Sequence, residues 1–114
     1  MTADCIFCKI AAEEISAKIV YESEDVLAFE DINPEAPVHL LIITKKHIKN
    51  IIELADYDSE LFHNIGLAIK KLAADYQLDN GFRIVNNCGI AAGQSVNHLH
   101  FHLLAGRDLI WPPG

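Results

Sequence analysis

The arrangement of apolar and polar positions predicts several β-strands in the first half of the chain. The runs AKIVYE (17–22) and DVLAFEDI (25–32) are rich in β-branched and aromatic residues and are separated by the polar SED, which favours a β-hairpin. The run VHLLIIT (38–44) is almost continuously apolar, as expected of a central strand covered on at least one face. The two prolines of INPEAP (32–37) separate these strands.

The periodicity then becomes helical. From Asp58 to about Gln77, apolar residues recur at three- and four-residue steps and form the stripe of an amphipathic helix. A shorter helix is predicted in CIFCKIAAEEI (5–15), while FRIVNN (82–87) and NHLHFHLL (97–104) have the composition of strands. Five strands in near-sequential order, one long helix on a face and a short N-terminal helix predict an α+β fold with an antiparallel sheet.

The length of 114 residues predicts a single domain over 1–114. Within it we distinguish an N-terminal segment (1–14) and an extended C-terminal tail (105–114), whose ending WPPG continues neither a helix nor a strand.

The net charge of −7 and the pI near 5.2 argue against a protein that coats nucleic acid or anionic membranes. No apolar run approaches the ~20 residues of a membrane helix. Three cysteines are a poor basis for a disulfide framework, and the N-terminus lacks the features of a signal peptide. We therefore expect a cytoplasmic protein without nucleic-acid or membrane partners.

The sequence HLHFH places His98, His100 and His102 at alternate positions. On a strand they share one face, whereas Leu99 and Phe101 face the long helix. The outer two histidines of an unbent strand lie roughly 13 Å apart, which favours a row of imidazoles with separate functions over one three-histidine metal site. Neutral imidazole can act as a nucleophile in phosphoryl chemistry.

Nearby residues could support such chemistry. The preceding NNCGIAAGQS supplies hydrogen-bond donors in Asn87, Gln94, Ser95 and the backbone of a glycine-containing loop. The alternative is a half-exposed strand that merely tolerates histidine. Cys5 and Cys8 have the spacing of metal ligands or a redox pair, but they could also be two small buried apolar residues.

These residues resemble the histidine-triad family. QSVNHLHFHLL (94–104) matches the family signature, and AFEDINPEAPVHLLIITKKHI (28–48) is similar to its middle block, so that almost the whole chain is covered. The terminal WPPG resembles the Hint branch of purine nucleoside phosphoramidases.

The resemblance implies a homodimer whose sheets join edge to edge, with a purine nucleotide site in each subunit. It implies that His100 attacks the α-phosphorus, that His102 binds the phosphate and that His39 orients the nucleophile, while Ser95 contacts the leaving amine or its proton. Trp111 would reach the site of the partner subunit. The nucleotide-binding residues that it implies are Phe7, Ile10, Ile15, Phe29, Asp31 (to the ribose), Ile32, Asn87, Gln94 and Trp111.

The C-x-x-C spacing resembles that of bacterial-type members, in which two cysteines and two histidines hold zinc. The corresponding residues here are Cys5, Cys8, His47 and His98. A closed set of four such ligands is structural rather than catalytic.

We therefore expect a hydrolase that cleaves the P–N bond of purine nucleoside 5′-phosphoramidates through a nucleotidylated histidine, without a catalytic cofactor. Hydrolysis of dinucleoside polyphosphates, the activity of a sister branch, is an alternative against which WPPG argues. A nucleotide-binding regulatory protein with incidental turnover and a zinc-stabilised interaction module are alternatives from other classes.

Overall fold

Five antiparallel strands form one sheet in the order β1-β2-β3-β5-β4. The structure is a computed structural model that describes residues 4–114, so the first three residues of the predicted segment 1–14 lie outside the described part. The strands are β1 (Ile19–Glu22), β2 (Val26–Glu30), β3 (Val38–Thr44), β4 (Arg83–Val85) and β5 (His100–Ala105). The helices are α1 (Ile6–Ala11) and α2 (Ser59–Asp75), with three short 3-10 turns at Ile51–Glu53, Asp56–Asp58 and Ile90–Ala92.

The predicted hairpin and the central strand are confirmed. β1 pairs with β2 around the polar turn, and β3 lies between β2 and β5 with every residue except the first buried. Both faces of β3 are covered, since Leu40 and Ile42 contribute to one apolar cluster and Leu41 and Ile43 to another. The continuous apolar run in the sequence reflects this two-sided burial.

Helix α2 covers one face of the sheet, as the periodicity predicts. Its buried residues, Leu61, Ile65, Ala68 and Leu72, form one cluster with strand residues that include Leu99, Phe101 and Leu103. The helix is slightly shorter than expected, because it ends at Asp75 with Tyr76 as its C-cap, and the following Gln77 has a φ of 56° that lies outside the helical region. No helix in residues 4–114 is long and apolar enough to cross a membrane.

The strand predicted over NHLHFHLL is wrong at its beginning, because β5 starts at His100. Before that residue the chain bonds to the segment after β3. The His98 ring contacts the Thr44 carbonyl, and the Leu99 amide donates to the Ile48 carbonyl at 2.6 Å. His98 is thereby placed beside the N-terminal segment instead of in the ladder.

The opposite face of the sheet is only partly covered. Helix α1 packs there through Phe7 and Ile10 against Leu27, Phe29, Leu41 and Ile43. Since α1 has only six residues, it leaves a depression beside it on the face that carries the histidine row. The tail beyond β5 contains no strand, and Arg83 holds it through the carbonyls of Leu109 and Ile110.

Candidate functional site

Two adjacent strands bring three histidines together on the face away from α2. His100 and His102 belong to β5, where their cross-strand partners are Ile43 and Leu41. His39 lies on β3 opposite Leu104, one diagonal step from His102. His39 Nε2 lies 2.9 Å from His102 Nδ1. The histidine of PVHLL therefore joins the row from a neighbouring strand.

The backbone fixes the tautomer of His100. Its Nδ1 donates to the carbonyl of His98 at 2.7 Å, so in the neutral ring Nε2 carries the lone pair. The residue is 5% exposed, and burial is the main cause that lowers its pKa below the ordinary 6.5. His100 thus offers a neutral, directed nitrogen nucleophile.

A chain of hydrogen bonds fixes the proton of His102 on the other nitrogen. The Glu35 amide donates to His39 Nδ1 at 3.0 Å, so neutral His39 carries its proton on Nε2 and donates it to His102 Nδ1. His102 consequently keeps its own proton on Nε2, where it can donate to a ligand. Burial, followed by the charges of His100 and His39, lowers the pKa of His102 to about 4.

A cavity of about 370 Å³ opens beside His100 and His102. Seven of the residues predicted for the nucleotide and its leaving group line it together with these two histidines, namely Phe7, Ile10, Ile15, Phe29, Asp31, Ile32 and Ser95. Phe7 packs edge-to-face with the rings of Phe29 and His100, with centroids 5.7 and 5.0 Å apart. Ile32, 90% exposed, stands at the rim. Aromatic walls beside a few convergent polar groups are typical of small-molecule sites.

Other residues line the cavity that the sequence analysis does not identify. They are Ile6, Ser16, Ala17, Glu30, Asn33, Leu41 and Val96. Most of them adjoin a predicted residue along the chain, so adjacency was the available signal. A further missed residue is Asn86, whose side chain donates to the carbonyl of His100 at 2.9 Å and supports the end of β5.

Three predicted nucleotide-binding residues do not line this cavity. Asn87 is half-buried after β4, and Trp111 is 81% exposed in the tail. The side-chain amide of Gln94 is engaged within its own loop and with Lys49. His39 also lies outside the cavity and reaches it through His102 and Asp31, whose Oδ2 is 3.4 Å from His39 Nε2.

The four predicted metal ligands form a cluster of their own. The ligand atoms of Cys5, Cys8, His47 and His98 all lie within 4.8 Å of one another. His98 Nδ1 is 3.3 Å from Cys5 Sγ, 3.5 Å from Cys8 Sγ and 3.2 Å from His47 Nδ1. Cys8 Sγ is 3.3 Å from His47 Nδ1. The cluster joins α1, the segment after β3 and the segment before β5.

This geometry fits a tetrahedral ion. Bonds of about 2.3 Å to sulfur and about 2.05 Å to nitrogen give tetrahedral edges of about 3.6 Å between S and N and about 3.3 Å between two nitrogens. The measured separations are close to these edges. In addition, His98 Nε2 donates to the Thr44 carbonyl at 2.7 Å, which leaves its Nδ1 lone pair facing the cluster, as a metal ligand requires. These four residues can hold a metal ion.

A second group has equally close ligand atoms but does not fit a metal ion. It consists of Asp31, His39 and His102. The Glu35 amide occupies the lone pair of His39 Nδ1, so His39 Nε2 bears a proton and is not available to a metal. The short contact between the two rings is therefore a hydrogen bond.

Residues 12–109 match the family model of the HIT domain. The chain belongs to the HIT domain family. This HIT protein is 49% identical to an uncharacterized HIT-like protein of Synechococcus elongatus over 114 residues, which is 100% of both chains.

Solved structures also resemble the HIT protein. The crystal structure of a HIT family hydrolase from Legionella pneumophila is similar with a TM-score of 0.94 and 53% identity, over 97% of this chain and 100% of that one. A histidine triad nucleotide-binding protein from Candida albicans matches with a TM-score of 0.85 and 34% identity, over 93% of this chain and 77% of that one. The family and the fold implied by the sequence are thereby confirmed.

Proposed function

We propose that this HIT protein is a hydrolase of the Hint type that cleaves the P–N bond of purine nucleoside 5′-phosphoramidates. The observation that carries the proposal is the fixed pair of tautomers at the cavity, in which His100 has its lone pair on Nε2 and His102 its proton on Nε2. A nucleophile and a donor side by side are what attack on a phosphorus atom and stabilisation of its oxygens require. The names of the Legionella hydrolase and the Candida nucleotide-binding protein agree with this reaction class.

The reaction proceeds in two displacements. His100 Nε2 attacks the α-phosphorus, the bond from phosphorus to the amine nitrogen breaks, and the leaving nitrogen takes a proton from solvent through the hydroxyl of Ser95, so that the amine departs neutral. His102 Nε2–H donates to a phosphate oxygen in both displacements. Water then attacks the phosphorus and gives up a proton to solvent as the bond between phosphorus and His100 Nε2 breaks, which releases the nucleoside monophosphate and restores the neutral imidazole. No cofactor takes part in these steps.

The cavity accepts the nucleoside. Phe7 and Phe29 offer aromatic surface to the purine, with Ile10 and Ile15 completing an apolar wall. The Asp31 carboxylate is the acceptor for the ribose hydroxyls. Its Oδ1 already accepts from the Asn33 amide at 2.8 Å, which fixes the orientation of the carboxylate at the rim. Asn87 lies outside the cavity, and the partner proposed for it is a phosphate oxygen of the bound nucleotide.

Zinc is the metal proposed for Cys5, Cys8, His47 and His98, since two thiolates and two imidazoles are a preferred set for that ion. Zinc bound there is structural, with all four positions filled by the protein. The ligands tie α1, and with it Phe7, to the first residue of the triad. The protein acts as a cytoplasmic homodimer, in which the exposed Trp111 contributes to the site of the partner.

The proposal is tested by comparing substrates at equal concentration, with AMP release measured for adenosine 5′-phosphoramidate and for a diadenosine polyphosphate. We expect hydrolysis of the phosphoramidate to be faster by at least tenfold and to be abolished in His100→Ala. Faster hydrolysis of the polyphosphate would assign the protein to the sister activity. Binding of AMP without turnover of either compound would make it a nucleotide-binding module, and unchanged activity in His100→Ala would refute the proposed nucleophile.

A further inference from the structure

The side-chain amide of Gln94 has partners for both of its hydrogens and for its oxygen. Its Oε1 accepts from the Gly89 amide at 2.8 Å, while Nε2 donates to the carbonyl of Lys49 at 2.8 Å and to that of Val96 at 3.0 Å. Two carbonyls require donors and one N–H requires an acceptor, so only one orientation of the amide satisfies all three groups. The side chain is fixed in place and does not line the cavity.

The first consequence is a closed loop between β4 and β5. The Gln94 backbone amide donates to the Gly89 carbonyl at 3.1 Å, while the Gly89 amide donates to the Gln94 side chain, so the two residues are joined in both directions. The turn between them needs Gly89 and Gly93 with φ near +92° and +91°, values that other residues adopt rarely. Gln94 therefore locks a turn whose other residues are mostly exposed.

The second consequence concerns Ser95. The two residues that flank it, Gln94 and Val96, are joined by a hydrogen bond from the side-chain amide of Gln94 to the carbonyl of Val96. Ser95 and Val96 both line the cavity beside His100. The contact to Lys49 anchors this short bridge to the segment that follows the metal ligand His47. The position of the Ser95 hydroxyl thus depends on an amide that lies outside the cavity.

We propose that Gln94 is a positioning residue that sets Ser95 on the leaving-group side of the site and does not touch the nucleotide. The assignment replaces the direct nucleotide contact that the sequence suggests for Gln94, and it rests on the proposed function. The purine walls Phe7 and Phe29 belong to other elements, so loosening the loop affects departure of the amine and leaves purine binding intact.

The test uses Gln94→Glu, which keeps the length and one acceptor oxygen but removes both hydrogens that hold the carbonyls of Lys49 and Val96. The matched control is Gln77→Glu, the same substitution at an exposed residue just beyond the end of α2. The kcat for adenosine 5′-phosphoramidate and the Kd for AMP are measured for both variants, together with hydrogen exchange of the amides over residues 89–97.

We expect Gln94→Glu to lower kcat by about 30-fold or more, which is about 2 kcal/mol in the barrier, because a displaced Ser95 hydroxyl transfers the proton to the leaving amine less well. The Kd for AMP should change less than threefold, and hydrogen exchange in the loop should become faster. Gln77→Glu changes none of these. A tenfold weaker Kd for AMP, or an unchanged kcat, overturns the inference. If wild type releases no AMP, the proposed function fails, and loop exchange alone then decides whether Gln94 holds Ser95: unchanged exchange refutes it and faster exchange supports it.

Discussion

Phe7 contacts the cluster of four candidate metal ligands through His98, lines the cavity and packs against His100, so its removal is a strong test of how the proposed site is held. The residue lies between Cys5 and Cys8 in the sequence and is 6% exposed. Its ring packs edge-to-face with Phe29, with His98 and with His100, at centroid separations of 5.7, 5.8 and 5.0 Å. Phe7→Ala removes all three contacts at once.

The expected cost follows from burial. Replacing a buried phenylalanine by alanine costs about 3–5 kcal/mol, and we take the lower end because part of the ring faces the cavity. With an unfolding entropy of about 2.1 cal/mol/K per residue, a chain of 114 residues loses about 12 °C in Tm for a loss of about 3 kcal/mol. The affinity for AMP should fall as well, since the variant lacks one aromatic wall.

The assay is thermal unfolding of metal-loaded protein with and without AMP. The control is Phe62→Ala on α2, where the ring is 49% exposed and its one ring contact, with Phe101, is at 6.3 Å. This variant should lose about 1 kcal/mol, or about 4 °C, and bind AMP normally. Equal losses of Tm in the two variants, or normal AMP binding by Phe7→Ala, would refute the reasoning.

Three further predictions concern the other histidines. Burial lowers the pKa of His102 from 6.5 to about 4, so the free energy of unfolding that its neutral ring contributes is present above pH 6.5 and is lost, on the order of 2 kcal/mol, as the pH falls to about 4. Urea unfolding at pH 7 and at pH 4.5 should therefore show a smaller drop in the free energy of unfolding for His102→Asn than for wild type. Equal drops in the two proteins would contradict this. Metal analysis should find zinc in wild type and Cys88→Ser but not in His47→Ala, and zinc retained in the last variant would exclude the four-ligand set. His39→Ala should lower kcat by about 100-fold, because His102 loses the donor that fixes its tautomer; a kcat within threefold of wild type would contradict the hydrogen-bond chain.

The pattern of apolar residues was sufficient to predict the helix and the strand that are most buried. β3 was predicted with its observed bounds because burial on both faces leaves a continuous apolar run, and α2 because one buried stripe leaves a 3.6-residue period. β4 was predicted too long, at 82–87, because its pairing with β5 extends only from Arg83 to Val85 and the side chain of Asn86 bonds to the carbonyl of His100 in place of a backbone group.

Prediction of the site was limited because a sequence does not show which distant backbone groups a side chain contacts. The spacing of HLHFH indicated a shared face, but the bend at His98 depends on contacts with Thr44 and Ile48, far away along the chain. The three hydrogen bonds of the Gln94 side chain are likewise made to two backbone carbonyls and a backbone amide, which every residue except proline carries, so the sequence does not reveal them. Partners of that kind become visible only when the fold is known.

Single-turnover mixing with adenosine 5′-phosphoramidate, followed by mass analysis of intact protein, tests the central claim most directly. Wild type should form a transient species heavier by one adenylyl group, attached at His100, that decays at the rate at which AMP appears. His100→Ala should form none, while His63→Ala, on the exposed side of α2, should behave as wild type does. Release of AMP by wild type without such a species at any time, or its formation in His100→Ala, would contradict nucleophilic catalysis by His100.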